Sequence, residues 1–173
     1  ALVCLFQTVD GNWVNILRIF LSKKNMGKAE VDSPKKQWTP IKPDGMKGAA
    51  IYLDPPAKCI AIAEGVETAM AVRYVTKLPT WATGDTNGMK NLEIPEQVKH
   101  ILIWADNDKN NAGIEAAEFL HKRMMCEKKI IPTILLPERD DDRHSRDWLD
   151  VLNEEGEEAF RNAVRHPDEI PPI

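Results

Sequence analysis

The chain has 173 residues, of which 43% are hydrophobic and 29% charged, and its net charge is −4. This composition is typical of one globular domain, with an appendage at most, and does not indicate a strongly basic nucleic-acid-binding protein. The three cysteines form no C-x-x-C pair, which argues against a disulfide framework and against a structural zinc site within the chain. No apolar stretch approaches the roughly 20 residues that cross a bilayer, and no signal peptide is visible, so we expect a cytoplasmic protein without membrane contact.

The charge is distributed unevenly along the chain. Residues 1–56 carry eight Lys and Arg against five Asp and Glu, a balance of +3. Residues 57–173 carry fifteen against twenty-two, a balance of −7. We therefore predict a basic, β-rich N-terminal subdomain over residues 1–56 and an acidic α/β domain over residues 57–173.

The first part, taken in chain order, contains strands and loops. The run LVCLFQTVDGNWVNILRIFLS predicts two strands around Asp10 and Gly11, a pair of residues that favours hairpin turns. Residues 23–50 are rich in Lys, Pro and Gly and lack clear periodicity, which predicts a loop with at most short strands. The segment AIYLD predicts a further strand before two prolines.

The second part alternates strands and helices. Short apolar runs predict four strands, within KCIAIAE, PTWATG, VKHILIWAD and IIPTILLP, and the proline in the last run favours an edge position. A helix is predicted in VETAMAVRYVT, with Val66, Ala69, Met70 and Tyr74 on its apolar side. Further helices are predicted in NAGIEAAEFLHKRMMCEKK, RDWLDVLNEEG and EEAFRNAVRH. This alternation predicts an open parallel α/β sheet with strand order 2-1-3-4 and helices on both faces.

Acidic residues stand at two of the strand exits. Glu64 and Gly65 end the first strand of the second part, and Asp106 and Asp108 end the third. In an open parallel sheet, sites form beyond the carboxyl ends of the strands, where neighbouring exits meet. Three carboxylates there would raise each other's pKa, and a divalent cation such as Mg²⁺ would relieve this conflict. The alternative is that the aspartates cap the following helix, which explains one aspartate better than it explains three acids.

Other motifs of this kind are excluded by their spacing. An EF-hand loop that began at Asp106 would need glycine at its sixth position and glutamate at its twelfth, where the chain has Asn111 and Ala117. Neither a Walker A loop nor a G-x-G-x-x-G motif is present in the sequence. The acids therefore belong to a different type of site.

Three segments in this order, IAIAEGVETAMAV, ILIWADNDKNNAGIEAAEFL and RDWLDVLNEEG, resemble the signatures of the Toprim domain. This family includes bacterial-type primases, topoisomerases and several nucleases. The sequence is most similar to the Toprim segment of phage- and plasmid-type DNA primases, over roughly residues 12–155. Those primases carry Lys-Asp followed by an aromatic or small residue downstream, and here the corresponding residues are Arg146, Asp147 and Trp148.

One position departs from the family pattern. Several primases carry a further acid four residues after the glutamate, and here Thr68 stands at that position. Glu67, one residue earlier, would point about 100° away from it on a helix. We therefore leave Glu67 outside the predicted metal site.

The resemblance implies a metal site and its ligands. Asp106 and Asp108 would bind Mg²⁺, for which Mn²⁺ can substitute. Asp147 would contribute to a second or more distant ion. Glu64 would be a further ligand or the acid–base group of the site. The physical argument agrees, because nucleotidyl transfer depends mainly on positioning and charge neutralisation.

Glycines and cations near these acids are candidates for substrate contacts. Gly65 would let a ligand or backbone come close, because it has no Cβ. Gly84 and Gly88 would either shape the wall of the site or form a simple turn. The cations that would contact nucleotide or template phosphates, unless they are solvated loop residues, are Arg18, Lys28, Lys35 and Lys36. Trp38, in the basic loop, is the tryptophan best placed to stack on a base.

The resemblance implies the catalytic core of a DNA primase, which makes RNA primers on single-stranded DNA from nucleoside triphosphates. A helicase and a zinc-binding module would be needed as well, in the parent protein or in partners. Two alternatives stay open: a Toprim-type metal-dependent nuclease, and a non-catalytic Toprim-fold binding module. A topoisomerase is less compatible, because it needs a tyrosine nucleophile on a separate module and the chain has only Tyr52 and Tyr74.

Overall fold

The computed structural model describes residues 1–24, 27–40, 45–140 and 142–164. Within this part of the chain the strands are β1 (Leu2–Gln7), β2 (Trp13–Ile19), β3 (Lys35–Gln37), β4 (Ala50–Tyr52), β5 (Cys59–Ala63), β6 (Thr80–Ala82), β7 (His100–Trp104), β8 (Asn107–Asp108), β9 (Thr133–Leu135) and β10 (Ser145–Arg146). The helices are α1 (Val66–Thr76), α2 (Thr86–Asn91), α3 (Ala112–Lys128), α4 (Trp148–Glu155) and α5 (Glu158–Ala163). Eight strands form one sheet in the order β3-β2-β1-β4-β6-β5-β7-β9, and β8 and β10 form a separate two-stranded ribbon.

The predicted parallel core of the sheet is confirmed. The first to fourth predicted strands are β5, β6, β7 and β9. They lie in the sheet in the order β6-β5-β7-β9, which is the predicted order 2-1-3-4, and all three neighbouring pairs are parallel. All five residues of β5 are buried, as expected for a strand covered on both faces. β9 lies at the end of the described sheet, where a neighbouring proline is tolerated.

The N-terminal strands extend this same sheet. β1 and β2 pair antiparallel, and residues 8–12 connect them, a longer turn than the two-residue hairpin that Asp10 and Gly11 favour. β4 joins the two parts of the sheet, because it pairs antiparallel with β1 on one side and β6 on the other. The division of the chain at residue 57 stays a prediction, and its last residues, 165–173, lie outside the described residues.

Helices cover both faces of the parallel strands, as predicted. One core cluster contains residues of α1, α4 and α5, and the other contains residues of α2 and α3. On the first face, Trp104 at the end of β7 packs edge-on against Trp148 at 4.7 Å between ring centroids and lies 5.2 Å from Phe160. This aromatic contact fixes α4 and α5 against the strand that leads to Asp106.

The apolar side of α1 differs in part from the prediction. Val66 and Ala69 are buried, but Met70 and Tyr74 are 48% and 57% exposed. The buried side is completed instead by smaller residues such as Val72. Among the described residues, no helix has both the length and the apolar character needed to cross a bilayer.

Candidate active site

The acidic residues of the prediction lie at the carboxyl ends of the parallel strands. Glu64 directly follows β5, and Asp106 comes two residues after β7. Ala63 and Trp104 are parallel partners, so the two strands end at the same level. The amide of Gly84, just beyond β6, donates to the carbonyl oxygen of Glu64 at 2.9 Å. The structure therefore brings the exits of β5, β6 and β7 to one edge of the sheet, which we call the acidic edge.

The acids at this edge perturb one another. Burial raises the pKa of the Asp106 carboxyl to about 7. The negative charges of Glu64, Asp147 and Asp108 act in the same direction. Burial also raises the pKa of Glu64, and the charges of Asp108 and Asp85 add to the effect. The acidic edge therefore carries negative charges from four separate segments that act on one another.

Two carboxylate oxygens at the acidic edge lack partners. Oε2 of Glu64 and Oδ1 of Asp106 are buried, and neither has a hydrogen bond within the described part of the chain. A buried, unpaired carboxylate is unfavourable, and a hard cation such as Mg²⁺ would offset this cost. No group of three or more His, Cys, Asp and Glu side chains among the described residues is arranged to hold a metal ion. Mg²⁺ is usually held by one or two carboxylates together with water and substrate phosphates, so a Mg²⁺ site does not require such a group.

The two-stranded ribbon orients Asp108. Asp108 lies opposite Ser145 in the pairing of β8 with β10, and the Ser145 hydroxyl donates to Oδ1 of Asp108 at 2.7 Å. Helix α3 begins only after Asn111, whose φ is 59° and whose side chain makes no cap hydrogen bond. The alternative in which Asp106 and Asp108 cap this helix is therefore wrong.

We expect Ser145→Ala to disturb the orientation of Asp108 more than the stability of the chain. The lost hydrogen bond should lower the free energy of unfolding by about 1 kcal/mol. If Asp108 binds Mg²⁺ as predicted, the Mg²⁺ concentration needed for half-maximal thermal stabilisation of the chain should rise about tenfold, as is usual when the hydrogen-bond partner of a metal ligand is removed. Ser22→Ala, which changes a serine far from the ribbon in sequence, is the matched control. An unchanged Mg²⁺ requirement in Ser145→Ala would show that Asp108 does not depend on this contact.

Helix α3 approaches the backbone of Asp106 so closely that only glycine fits at Gly113. A Cβ built at Gly113 would lie 2.5 Å from the carbonyl oxygen of Asp106. We expect Gly113→Ala to lower the free energy of unfolding by about 1–3 kcal/mol, because the helix would have to move away from the acidic edge. Gly65→Ala is the comparison, since a Cβ there would make only ordinary contacts, with Oγ1 of Thr68 at 3.5 Å and Oε2 of Glu67 at 4.0 Å. Urea unfolding of both variants tests this, and equal losses would contradict the close approach.

Asp147 has structural partners on both of its carboxylate oxygens. It is the N-cap of α4: Oδ1 accepts from the amide of Asp150 at 2.8 Å, and the Asp150 carboxylate accepts from the Asp147 amide at 3.2 Å. Its Oδ2 accepts from the Thr68 hydroxyl at 3.3 Å. Thr68 thus stands beside Asp147, at the position where several primases carry an acid. The neighbouring Arg146 forms ion pairs with Glu154 and Glu155 of α4.

Two of the four predicted phosphate-binding cations reach the acidic edge. Lys28 and Lys35 form salt bridges with Glu67 of α1, at 3.1 and 2.8 Å. Burial opposes ionisation of Glu67, but the hydrogen bonds and charges of the two lysines outweigh it and lower its pKa. The positive charge of Lys35 also acts against the raised pKa of Glu64 and of Asp106. Glu67 is therefore the ion-pair partner of the two lysines, and it stays outside the predicted metal site.

The other two cations lie on the opposite side of the sheet. Neighbouring residues of a strand point to opposite faces, so Lys36 faces away from Lys35. Arg18 is the register partner of Lys36 and shares its face. The structure therefore does not bring Arg18 and Lys36 to the acidic edge.

The two glycines after β6 form the turn that begins α2. Gly84 has a φ of 89°, a value that favours glycine, and Phe6 closes the space beside it. A Cβ at Gly88 would lie 2.2 Å from the carbonyl oxygen of Thr83, so α2 starts in direct contact with the strand exit. Because the Gly84 amide donates a hydrogen bond to the carbonyl oxygen of Glu64, this turn also forms part of the wall of the acidic edge.

Sequence reasoning missed three polar residues of the site. Asp85 caps α2, accepting from the Gly88 amide at 2.6 Å, and its charge raises the pKa of Glu64. It follows the second predicted strand, so its position at a strand exit was the signal that could have found it. Thr68 and Ser145 bond to acids that are distant in sequence, and no local pattern indicates such contacts.

The family model of the Toprim domain matches residues 59–158, which is more than half of the chain. The chain belongs to the Toprim domain family. The match begins with β5 and ends with the first residue of α5, so this Toprim domain contains all the acids of the acidic edge. No curated protein sequence matches the chain significantly.

Solved structures of primase domains share the fold of this Toprim protein. The RNA polymerase domain of Mycobacterium tuberculosis primase matches with a TM-score of 0.52 and 15% identity, covering 95% of this chain and 54% of that one. A primase catalytic domain bound to single-stranded DNA matches with a TM-score of 0.56 and 12% identity, covering 94% and 57%. The zinc-binding and RNA polymerase domains of Aquifex aeolicus primase match with a TM-score of 0.53 and 15% identity, covering 94% and 39%. This chain therefore spans about half the length of these primase structures, or less.

Proposed function

We propose that this Toprim protein is the catalytic core of a DNA primase, of the phage and plasmid type, that joins nucleoside triphosphates into RNA primers on single-stranded DNA. The observation that carries the proposal is the pair of buried, unpaired carboxylate oxygens of Glu64 and Asp106 at the exits of neighbouring Toprim strands. Likeness in fold to primase catalytic domains supports the same function.

In this proposal Asp106 and Asp108 hold Mg²⁺, or Mn²⁺ in its place, and Asp147 contributes to a more distant second ion. When bound, the cation supplies charge stabilisation for the attacking and leaving oxygens of an in-line displacement. Glu64 is either a further ligand or the group that takes the proton from the attacking hydroxyl, and its raised pKa suits the second role. The capping bonds of Asp147 favour the more distant position for that residue.

The substrate would enter beside the lysines. Lys28 and Lys35 are paired with Glu67 and lie at the acidic edge. A triphosphate could therefore replace the Glu67 carboxylate as the partner of their ammonium groups. Gly65 has no Cβ, and the nearest side-chain atoms to the Cβ position are Oγ1 of Thr68 at 3.5 Å and Oε2 of Glu67 at 4.0 Å, so a ligand could approach the backbone there beside these two oxygens. Gly84 and Gly88 form the wall of the site at the exit of β6.

Residues 1–56 would act as a basic N-terminal subdomain, since they contribute Lys28 and Lys35 to the site. A complete primase would also need a zinc-binding module and a helicase, in the parent protein or in trans. The Aquifex aeolicus structure, which contains zinc-binding and RNA polymerase domains, supports the first of these expectations.

One preparation of the 173-residue chain tests the proposal against the nuclease alternative. It is incubated with Mg²⁺ or Mn²⁺, a single-stranded DNA template and labelled nucleoside triphosphates, and in parallel with labelled single- and double-stranded DNA alone. We expect short RNA products that depend on the template and the metal. Cleavage of the DNA without RNA synthesis would favour a nuclease, and neither activity, with no stabilisation by metal, would favour a binding module.

A further inference from the structure

The face of the N-terminal strands that points away from the acidic edge combines an exposed tryptophan, a half-buried phenylalanine and two cations. The Arg18 guanidinium lies 5.6 Å from the centroid of the Trp38 ring and 5.8 Å from that of Phe20. Lys36 is the register partner of Arg18 and lies two residues from Trp38, on the same face. Trp38 is 56% exposed, so one side of its ring is open to solvent.

The apolar residues of this face are exposed as well. Val3 pairs with Arg18, and Leu5 pairs with Ile16, so they continue the face across β1. Val3 is 56% exposed and Leu5 37% exposed. The opposite side chains of the same strands, such as Phe6 and Ile19, are buried in the core. We call the surface formed by Val3, Leu5, Ile16, Arg18, Phe20, Lys36 and Trp38, of which Ile16, Arg18 and Phe20 are half-buried, the outer face.

Within the described part of the chain, the cations of the outer face have no acidic partner. Among the described residues, neither Arg18 nor Lys36 takes part in a salt bridge, whereas Lys28 and Lys35 on the other side do. Nε of Arg18 is buried without a hydrogen bond in the described part of the chain, and the guanidinium lies beside the Phe20 and Trp38 rings. Unpaired cations beside an open aromatic ring match a ligand that carries phosphates and flat bases.

We propose that the outer face binds single-stranded nucleic acid, with one base stacked on Trp38 and adjacent phosphates paired with Lys36 and Arg18. The identification of that strand as the template rests on the proposed function. The binding itself needs neither metal nor nucleotide. The acidic edge and the outer face lie on opposite sides of the N-terminal strands, so a strand bound at Trp38 would have to pass around the edge of the sheet to reach Glu64.

The test is the binding of a fluorescently labelled oligothymidine to the full chain, measured by anisotropy over a range of salt concentrations without metal. Trp38→Ala should weaken binding about tenfold, the usual effect of removing one base–aromatic stack. Trp38→Phe keeps a ring and should bind nearly as the unchanged protein does. Trp13→Ala removes a 73% exposed tryptophan at the hairpin end and serves as the matched control, with binding unchanged.

Lys36→Ala should reduce the slope of log affinity against log salt by about 0.7, the value for one phosphate contact on a single strand. The proposal is overturned if the chain does not bind oligothymidine, if Trp38→Ala and Trp13→Ala bind equally well, or if Lys36→Ala leaves the slope unchanged. Asp106→Asn separates the two proposals, because it should keep strand binding. If primer synthesis is retained in Asp106→Asn, the proposed role of the acidic edge is wrong, and the proposed strand binding at the outer face is not affected.

Discussion

Asp108→Asn and Glu64→Gln are each expected to lower metal-dependent primer synthesis by about 100-fold or more. Both substitutions keep the shape of the side chain and remove its negative charge. A metal ion at such a site supplies several kcal/mol of charge stabilisation, and each 1.4 kcal/mol corresponds to about tenfold in rate. Steady-state rates at saturating Mg²⁺, with template and nucleotides held constant, give the measurement.

Two controls separate the acidic edge from a general effect of charge. Asp140→Asn makes the same change at an exposed position in the loop before β10 and should leave the rate unchanged. Glu67→Gln changes the carboxylate that pairs with Lys28 and Lys35, and we expect a loss below about tenfold, because Glu67 is not a ligand in the proposal. Equal losses in Glu67→Gln and Glu64→Gln would contradict the division of roles between these two glutamates.

The parallel part of the fold could be predicted because its strands carry their signal locally. β5 consists of five consecutive buried apolar residues, and Glu64 follows immediately, so a strand and its acidic exit are visible in six letters of sequence. The buried side of α1 was harder to predict, because Met70 and Tyr74 are as apolar as the residues that lie in the core. Helix α1 packs on β5 and β6 through small side chains such as Ala69, which allow close contact, and the larger ones remain outside.

The parts of the site that could not be predicted depend on contacts between distant residues. The ribbon that holds Asp108 pairs it with Ser145, which is 37 positions later in the chain. The sorting of the cations depends on strand register: Lys35 and Lys36 look equivalent in sequence, and alternation along β3 sends them to opposite faces. Composition identified the basic segment, but only the pairing of β2 with β3 places Lys35 on the side of the acidic edge and Lys36 on the outer face.

Without metal, we expect the stability of the chain to fall as the pH rises from about 4 to above 7. Asp106 has a pKa of about 7 in the folded chain, against an ordinary value of 3.8. Between these values the folded chain binds the proton that the unfolded chain has lost, so stability decreases with pH. The full difference corresponds to at most about 4 kcal/mol. Glu64, whose pKa is also raised, adds to the same slope.

Asp106→Asn should remove most of this loss, because the amide cannot ionise. Thermal melting from pH 4 to pH 8 in the presence of a chelator compares the two proteins, with Asp140→Asn as the control that changes charge at an exposed position. Adding Mg²⁺ at pH 8 should then stabilise the unchanged protein and not Asp106→Asn, since only a ligand that binds the folded form raises stability. Parallel pH profiles for the two proteins would mean that Asp106 ionises without hindrance in the fold. The acidic edge would then lack the electrostatic conflict that a divalent cation is proposed to resolve.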